Sequence, residues 1–164
     1  LRTAVEQAVD ALNRERSREG LALGEQLREL AAQLRAQIAE MDQRRGAVVE
    51  RLRERLIQRV AELLAPGKER LDPGRLEQEV ALLADRADIS EEIVRLSAHL
   101  ERYEQLLQNR DDAPVGKNVD FLVQEFSREI NTIGSKARET DAAALTLEMK
   151  SVVERMREQI QNVE

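Results

Sequence analysis

Residues 2–64 contain no proline, and their apolar side chains return every three or four positions. Leu23, Leu27, Leu30, Leu34, Ile38 and Met41 form one run, and Val48, Leu52, Leu56, Val60 and Leu63 extend it. That period places them along one side of an α-helix, whereas a strand would alternate. A helix of this length, or two in succession, buries a single stripe and needs a partner, either a returning helix or another subunit. Its weak points are Gly20, Gly24 and Gly46. Glycine inside a helix costs about 1 kcal/mol relative to alanine, so a kink or break is expected near 42–47.

Ala65-Pro66-Gly67 ends this stretch and opens a loop over 65–72. Asp72-Pro73 then has the form of a cap followed by proline at the first helical position. The helix it starts runs to about Arg86, with Leu76, Val80 and Leu83 inward. Asp88-Ile89-Ser90-Glu91 fits a second capping pattern, and its helix runs to about Asn109 on a stripe of Ile93, Leu96, Leu100, either Tyr103 or Glu104, and Leu107. Asp111 to Pro114 reads as a loop. Residues 116–136 form a further helix, and the chain changes character over 137–141. Leu145, Met149, Val152, Met156, Ile160 and Val163 mark a last one. No stretch alternates with period two. The expected fold is all-α: long antiparallel helices with a shorter helical bundle and no sheet. The expected division is a scaffold or oligomerisation segment, 1–64, and a helical domain, 65–164.

Two Phe, one Tyr and no Trp leave the core to Leu, Val, Ile and Ala, which suits helix-on-helix packing. There is no Cys, so disulfides and thiolate metal sites are excluded. No apolar run approaches the roughly 20 residues that span a bilayer, and no signal peptide is visible; a cytoplasmic protein without membrane contact is expected. The net charge is −6. Residues 1–64 carry 12 basic and 11 acidic groups, and residues 65–164 carry 14 and 21. This is not the footprint of a simple nucleic-acid binder. A polyanion would need a local patch, a patch built from several subunits, or a metal ion. The first residue, Leu1, already reads as helix interior, so the chain is expected to be the back part of something longer.

Residues 116–136, GKNVDFLVQEFSREINTIGSK, differ from the rest. They hold both Phe residues of the chain. Val119, Leu122, Val123, Phe126, Ile130 and Ile133 share one helical face, and Asp120, Gln124, Arg128 and Asn131 lie along another line. Asn131, Thr132, Gly134 and Ser135 are poor helix formers, so something besides helix stability selects them. A close helix crossing and a binding or catalytic face are both open.

Several blocks resemble the C-terminal region of the bacterial YicC/YloC-like proteins. They are Arg18-Glu19-Gly20, Arg75-Leu76-Glu77-Gln78-Glu79, Asp88 to Leu96 with His99, Gly116 to Lys136, and Glu158 to Glu164. The resemblance implies an endoribonuclease acting on single-stranded or structured RNA, dependent on a divalent metal (Mn²⁺ or Mg²⁺) and assembled as a hexamer around a channel. It also implies a preceding β-rich portion with a Ser-Met-Thr motif, of which nothing is found in these residues; the chain is expected to be the helical part of the enzyme.

Metal-assisted RNA cleavage needs oxygen ligands beside a phosphate. Glu125 and Glu129, four apart on one face, and Asp120 near the start of the same helix are the candidate metal ligands and catalytic acids. Glu77 with Glu79 and Glu91 with Glu92 are further acidic pairs, and any such pair can equally be a solvated face. His99, the single His, shares a face with Arg95 and Glu92. It is a candidate general acid or base, or a buried polar residue held by Arg95 or Glu92. Lys117, Arg128, Lys136 and Asn131 are the candidate RNA contacts, Lys117 because it sits at a helix start where free N–H groups favour an anion. Arg18 and Arg75 could instead pair with acids between helices. The competing function is a non-catalytic helical module for oligomerisation or RNA positioning.

Overall fold

The structure is a computed structural model, and it describes residues 2–63, 73–108, 116–137 and 142–161. Five helices follow in order: α1 (Arg2–Leu63), α2 (Pro73–Ala87), α3 (Ser90–Gln108), α4 (Gly116–Lys136) and α5 (Ala142–Ile160). No strand occurs among the described residues. The all-α fold expected from periodicity is the one observed. The loops expected at 65–72 and 111–114 lie outside the described residues, as do residues 138–141 of the segment where the chain changes character.

The middle of α1 is packed by α3 on one side and α5 on the other, and α4 closes the ring by packing on both α3 and α5. These four helices share one core. Leu27, Leu30, Ala31, Leu34, Ile38 and Met41 enter it from α1, Ile93, Leu96, Leu100 and Tyr103 from α3, and Val119, Leu122, Val123, Phe126, Ile130 and Ile133 from α4. Leu145, Met149, Val152, Val153, Met156 and Ile160 complete it from α5. The stripes are thus the packing faces, and their burial is the main source of stability. Further along α1, Leu56 and Val60 are only half-buried. The side chains of Val48, Leu52 and Leu63, and of Leu76 in α2, lie outside the described set.

Polar contacts fix the directions. Arg35 forks onto Glu104 at 3.1 and 2.6 Å, and Arg45 donates to Ser90 Oγ at 2.6 Å. A later residue of α1 thus meets an earlier one of α3, so the two are antiparallel. Arg53 to Glu77 at 3.3 Å ties α2 to α1, and Arg155 to Gln33 at 2.8 Å ties α5 to α1. The bond to Glu104 raises the Arg35 guanidinium above its ordinary value. The start of α3 follows from Asp88, whose carboxylate accepts from both the N–H and the hydroxyl of Ser90. Those bonds hold its pKa below the ordinary carboxylate value. Their contribution is therefore present above about pH 4 and is lost as pH falls through the lowered value.

The break expected at 42–47 is not observed, since α1 is continuous through Gly46. A helix already docked over residues 27–41 tolerates one exposed glycine, because packing outweighs a propensity cost of about 1 kcal/mol. A β-carbon at Gly46 would meet nothing within 4 Å. Gly46→Ala should raise stability by up to about 1 kcal/mol, read as the midpoint of chemical unfolding. Gly134 is the opposite case. A β-carbon there would lie 2.9 Å from Thr146 Cγ2 of α5. Thr146 is buried, and its hydroxyl donates to the Ala142 carbonyl at 2.8 Å, so the methyl has little freedom to turn away. Gly134→Ala should lower stability by about 1–3 kcal/mol, and adding Thr146→Ser should recover part of the loss. The small residue at 134 serves a close crossing of α4 and α5.

Tyr103 is fully buried and meets Phe126 edge-on, with ring centroids 5.5 Å apart. Burial pushes its phenol well above the ordinary value. Below about pH 10 both folded and unfolded chains keep the proton. Above it the unfolded chain releases the proton first, so stability falls as pH rises. Tyrosinate absorbance should appear together with loss of helical circular dichroism, not before it. This is the single Tyr of the chain, so the signal has one source.

Candidate active site

The seam between α3 and α4 carries the charged residues. The two helices run antiparallel, so each step along α3 meets a step back along α4. Asp88 and Glu92 face Lys136, Arg95 faces Glu129, and His99 faces Glu125. Glu129 lies on the apolar side of α4, one turn from Phe126 and beside Ile130, and only 4% of it is exposed. Arg95 Nε donates to its Oε1 at 3.0 Å. Its second oxygen, Oε2, is buried without a hydrogen-bond partner among the described residues. A buried carboxylate oxygen left in that state is costly, which makes it a natural position for a bound cation.

His99 and Glu125 stand next to it. His99 Nε2 is 3.9 Å from Glu125 Oε2, and both side chains are half-buried. One ligand atom from each of His99, Glu125 and Glu129 can be chosen so that all three lie within 4.8 Å of one another. Ligands bound to one ion at about 2.1 Å lie at most about 4.2 Å apart, so a small closure suffices. The residues present fit a divalent cation. Exposure rises from Glu129 through Glu125 and His99 to Arg128, whose guanidinium lies 3.7 Å from Glu125 Oε2 and is mostly exposed. The group therefore runs from the core to the surface.

Arg95 is the hub of the charges around it. Besides Glu129 it reaches Glu92 at 3.5 Å and pairs with Glu91. Its bond to Glu129 raises its pKa above the ordinary guanidinium value, so it stays cationic. Glu92, 3% exposed, accepts from Lys136 Nζ at 2.8 Å, and the same ammonium donates to the Asp88 carbonyl at 2.8 Å. Lys136 therefore ties the end of α4 to the start of α3.

Three candidate residues, His99, Glu125 and Glu129, are brought together by the fold. Asp120 is not part of the group: it lies more than two turns from Glu129 on α4, and Gln124 donates to it at 2.7 Å. Lys117, Arg128 and Asn131 are exposed on α4. The pairs Glu77 with Glu79 and Glu91 with Glu92 do not act as units. Glu77 and Glu79 are exposed, and of the second pair Glu91 is exposed while Glu92 is buried.

Residues 41–164 match the family model described as endoribonuclease YicC-like, C-terminal. That is about three quarters of the chain. The chain belongs to the endoribonuclease YicC-like family. It is 42% identical over 164 residues to a protein of Clostridioides difficile (strain 630) named probable endoribonuclease YicC, covering 100% of this chain and 55% of that protein. It is 38% identical over 149 residues to a protein of the same name from Haemophilus influenzae, covering 91% of this chain and 50% of the other. The chain thus spans about half the length of the curated relatives it matches.

Arg95 and Glu92 had a signal in the sequence. Glu92 and Glu129 both fall at positions where the helical stripe calls for an apolar residue. An acid on a packing face needs a partner, and an arginine three residues after Glu92 supplies one. That the same arginine also serves Glu129, 34 residues away, depends on how α3 and α4 are aligned.

Proposed function

We propose that this chain is the helical part of a divalent-metal-dependent endoribonuclease, with His99, Glu125 and Glu129 holding the ion. The observation that carries the proposal is the convergence of these three side chains on one seam, with a buried carboxylate oxygen on Glu129 that has no hydrogen-bond partner among the described residues. The names of the relatives supply the reaction class. An imidazole beside two carboxylates suits Mn²⁺ better than Mg²⁺, which favours oxygen alone. A bound ion would supply Lewis-acid stabilisation of a phosphate under attack. The chain's own residues do the rest. Arg95 fixes Glu129 through the bond from its Nε–H to Oε1. Arg128 lies at the solvent end of the group, where it can contact a phosphate of RNA, and Lys117 and Asn131 extend that contact along α4. Lys136 and Glu92 hold the two helices in register. Asp120 orders Gln124 and is left out of the ligand set. No described helix is long and apolar enough to cross a membrane, and a cytoplasmic location is part of this reading.

The test is cleavage of a short RNA by the intact protein with Mn²⁺ or Mg²⁺ added. Glu125→Gln, Glu129→Gln and His99→Gln should each abolish it, and Asp120→Asn should leave most of it. Full activity in the first three variants would remove this site from the reaction.

A second reading has its own observation. Residues 2–22 of α1 are exposed throughout, and Val5, Val9 and Leu12 are spaced as a stripe on that segment. That fits an assembly role, including the hexamer implied by the family resemblance. A light-scattering mass of one chain at micromolar concentration would oppose it.

A further inference from the structure

We infer that Phe121 is a stacking platform for a base of the RNA strand that runs past the site; this rests on the RNA-cleaving reading above. Phe121 is 57% exposed, although the other Phe of the chain is fully buried in the core. It belongs to a solvent-facing ridge of α4. Lys117, Phe121, Gln124, Arg128, Asn131 and Ser135 step by four and three residues, and every one is exposed. A single exposed apolar side chain on a surface needs no explanation. An aromatic ring set between two cations and two amides, on the helix that carries Glu125 and Glu129, has the composition of a single-strand binding track. Such tracks combine cations that follow the phosphates with aromatic faces on which bases stack.

The dimensions agree. Lys117 lies one turn before Phe121, about 6 Å along the axis, and Arg128 lies two turns after it, about 10 Å. Glu125 is one turn from Phe121. A base on Phe121 would bring its neighbouring backbone alongside His99, Glu125 and Arg128. Paired bases keep their faces inside the duplex, so a ring of this kind selects unpaired nucleotides. Asp120 is the acid nearest in sequence on this helix, and Gln124 donates to it.

The chain has no Trp, so Phe121→Trp installs a sole indole at the proposed platform. The 164-residue variant is titrated with an oligouridylate of about ten nucleotides in a metal chelator, so that neither cleavage nor metal binding enters the readout. Saturable quenching of the indole is expected. Phe121→Ala should bind the same oligonucleotide about tenfold more weakly, while Phe121→Tyr should bind like the parent. Lys117→Gln with Arg128→Gln should flatten the dependence of affinity on salt. A duplex of equal length should not quench. The inference is overturned by any of four results: an indole signal unchanged on binding, equal affinity in Phe121→Ala, no binding by the parent chain, or an indole shift that depends on protein concentration without RNA. The last would make the ridge a protein interface. Quenching that persists while Glu125→Gln and Glu129→Gln still cleave RNA would keep the platform and discard the proposed metal site.

Discussion

Glu129→Gln should weaken Mn²⁺ binding by at least a hundredfold, read by calorimetry, while the helical circular dichroism stays near that of the parent. The amide is close to the carboxylate in size, so packing against Phe126 and Ile130 is kept, but the negative ligand beside His99 and Glu125 is lost. Changes one shell outside a metal cost roughly 10- to 100-fold in affinity, and a ligand should cost more. Asp120→Asn is the internal control. It changes an acid on the same helix that lies outside the group, and it should leave Mn²⁺ affinity within about threefold. Equal losses in both variants would mean that the ion senses general charge on α4 and not a defined site. No loss in Glu129→Gln would leave the buried oxygen as a structural feature of the Arg95 pair alone.

Phe126→Ala should lower the stability of the folded chain by about 3–5 kcal/mol, the range for removing a buried aromatic ring. Phe126 is fully buried and stacks edge-on with Tyr103 across the α3–α4 seam. Against a total stability of roughly 5–15 kcal/mol, that loss is a large fraction and should shift the unfolding midpoint clearly in urea. Phe126→Leu, which keeps most of the volume, should cost markedly less. The two substitutions also separate stability from function. Phe126 lies one residue from Glu125 and three from Glu129, so movement of α4 in Phe126→Ala should weaken Mn²⁺ binding even where the chain remains folded. A loss below about 1 kcal/mol in Phe126→Ala would show that the seam is not held by this ring.

The residues of the candidate site were legible in unequal degree. Glu125 and Glu129 stood out as acids four apart on one helix, and His99 as the single imidazole. Their meeting could not be read from local spacing, because 26 residues separate His99 from Glu125. Phe126 lies on the apolar line of Val119, Leu122, Val123, Ile130 and Ile133, whereas Phe121 falls off it, and the first is core while the second is surface. The five-residue step between them turns the second ring about 140° from the first, so local period alone separates the covered ring from the exposed one. Lys136 read as a phosphate contact because lysine is rare here, at four against 22 arginines. The structure shows its ammonium donating to Glu92 and to the Asp88 carbonyl.

What the sequence determined by itself is the helical class, the stripes that become packing faces and the acidic cap that starts α3. All are set by residues within a turn or two of one another, where period and capping act directly. The continuity of α1 through Gly46, the crossing at Gly134 and the antiparallel alignment of α3 with α4 were decided by tertiary packing. Burial of a shared core outweighs a local preference of about 1 kcal/mol, and the alignment of two stripes fixes which charged residues meet across the seam.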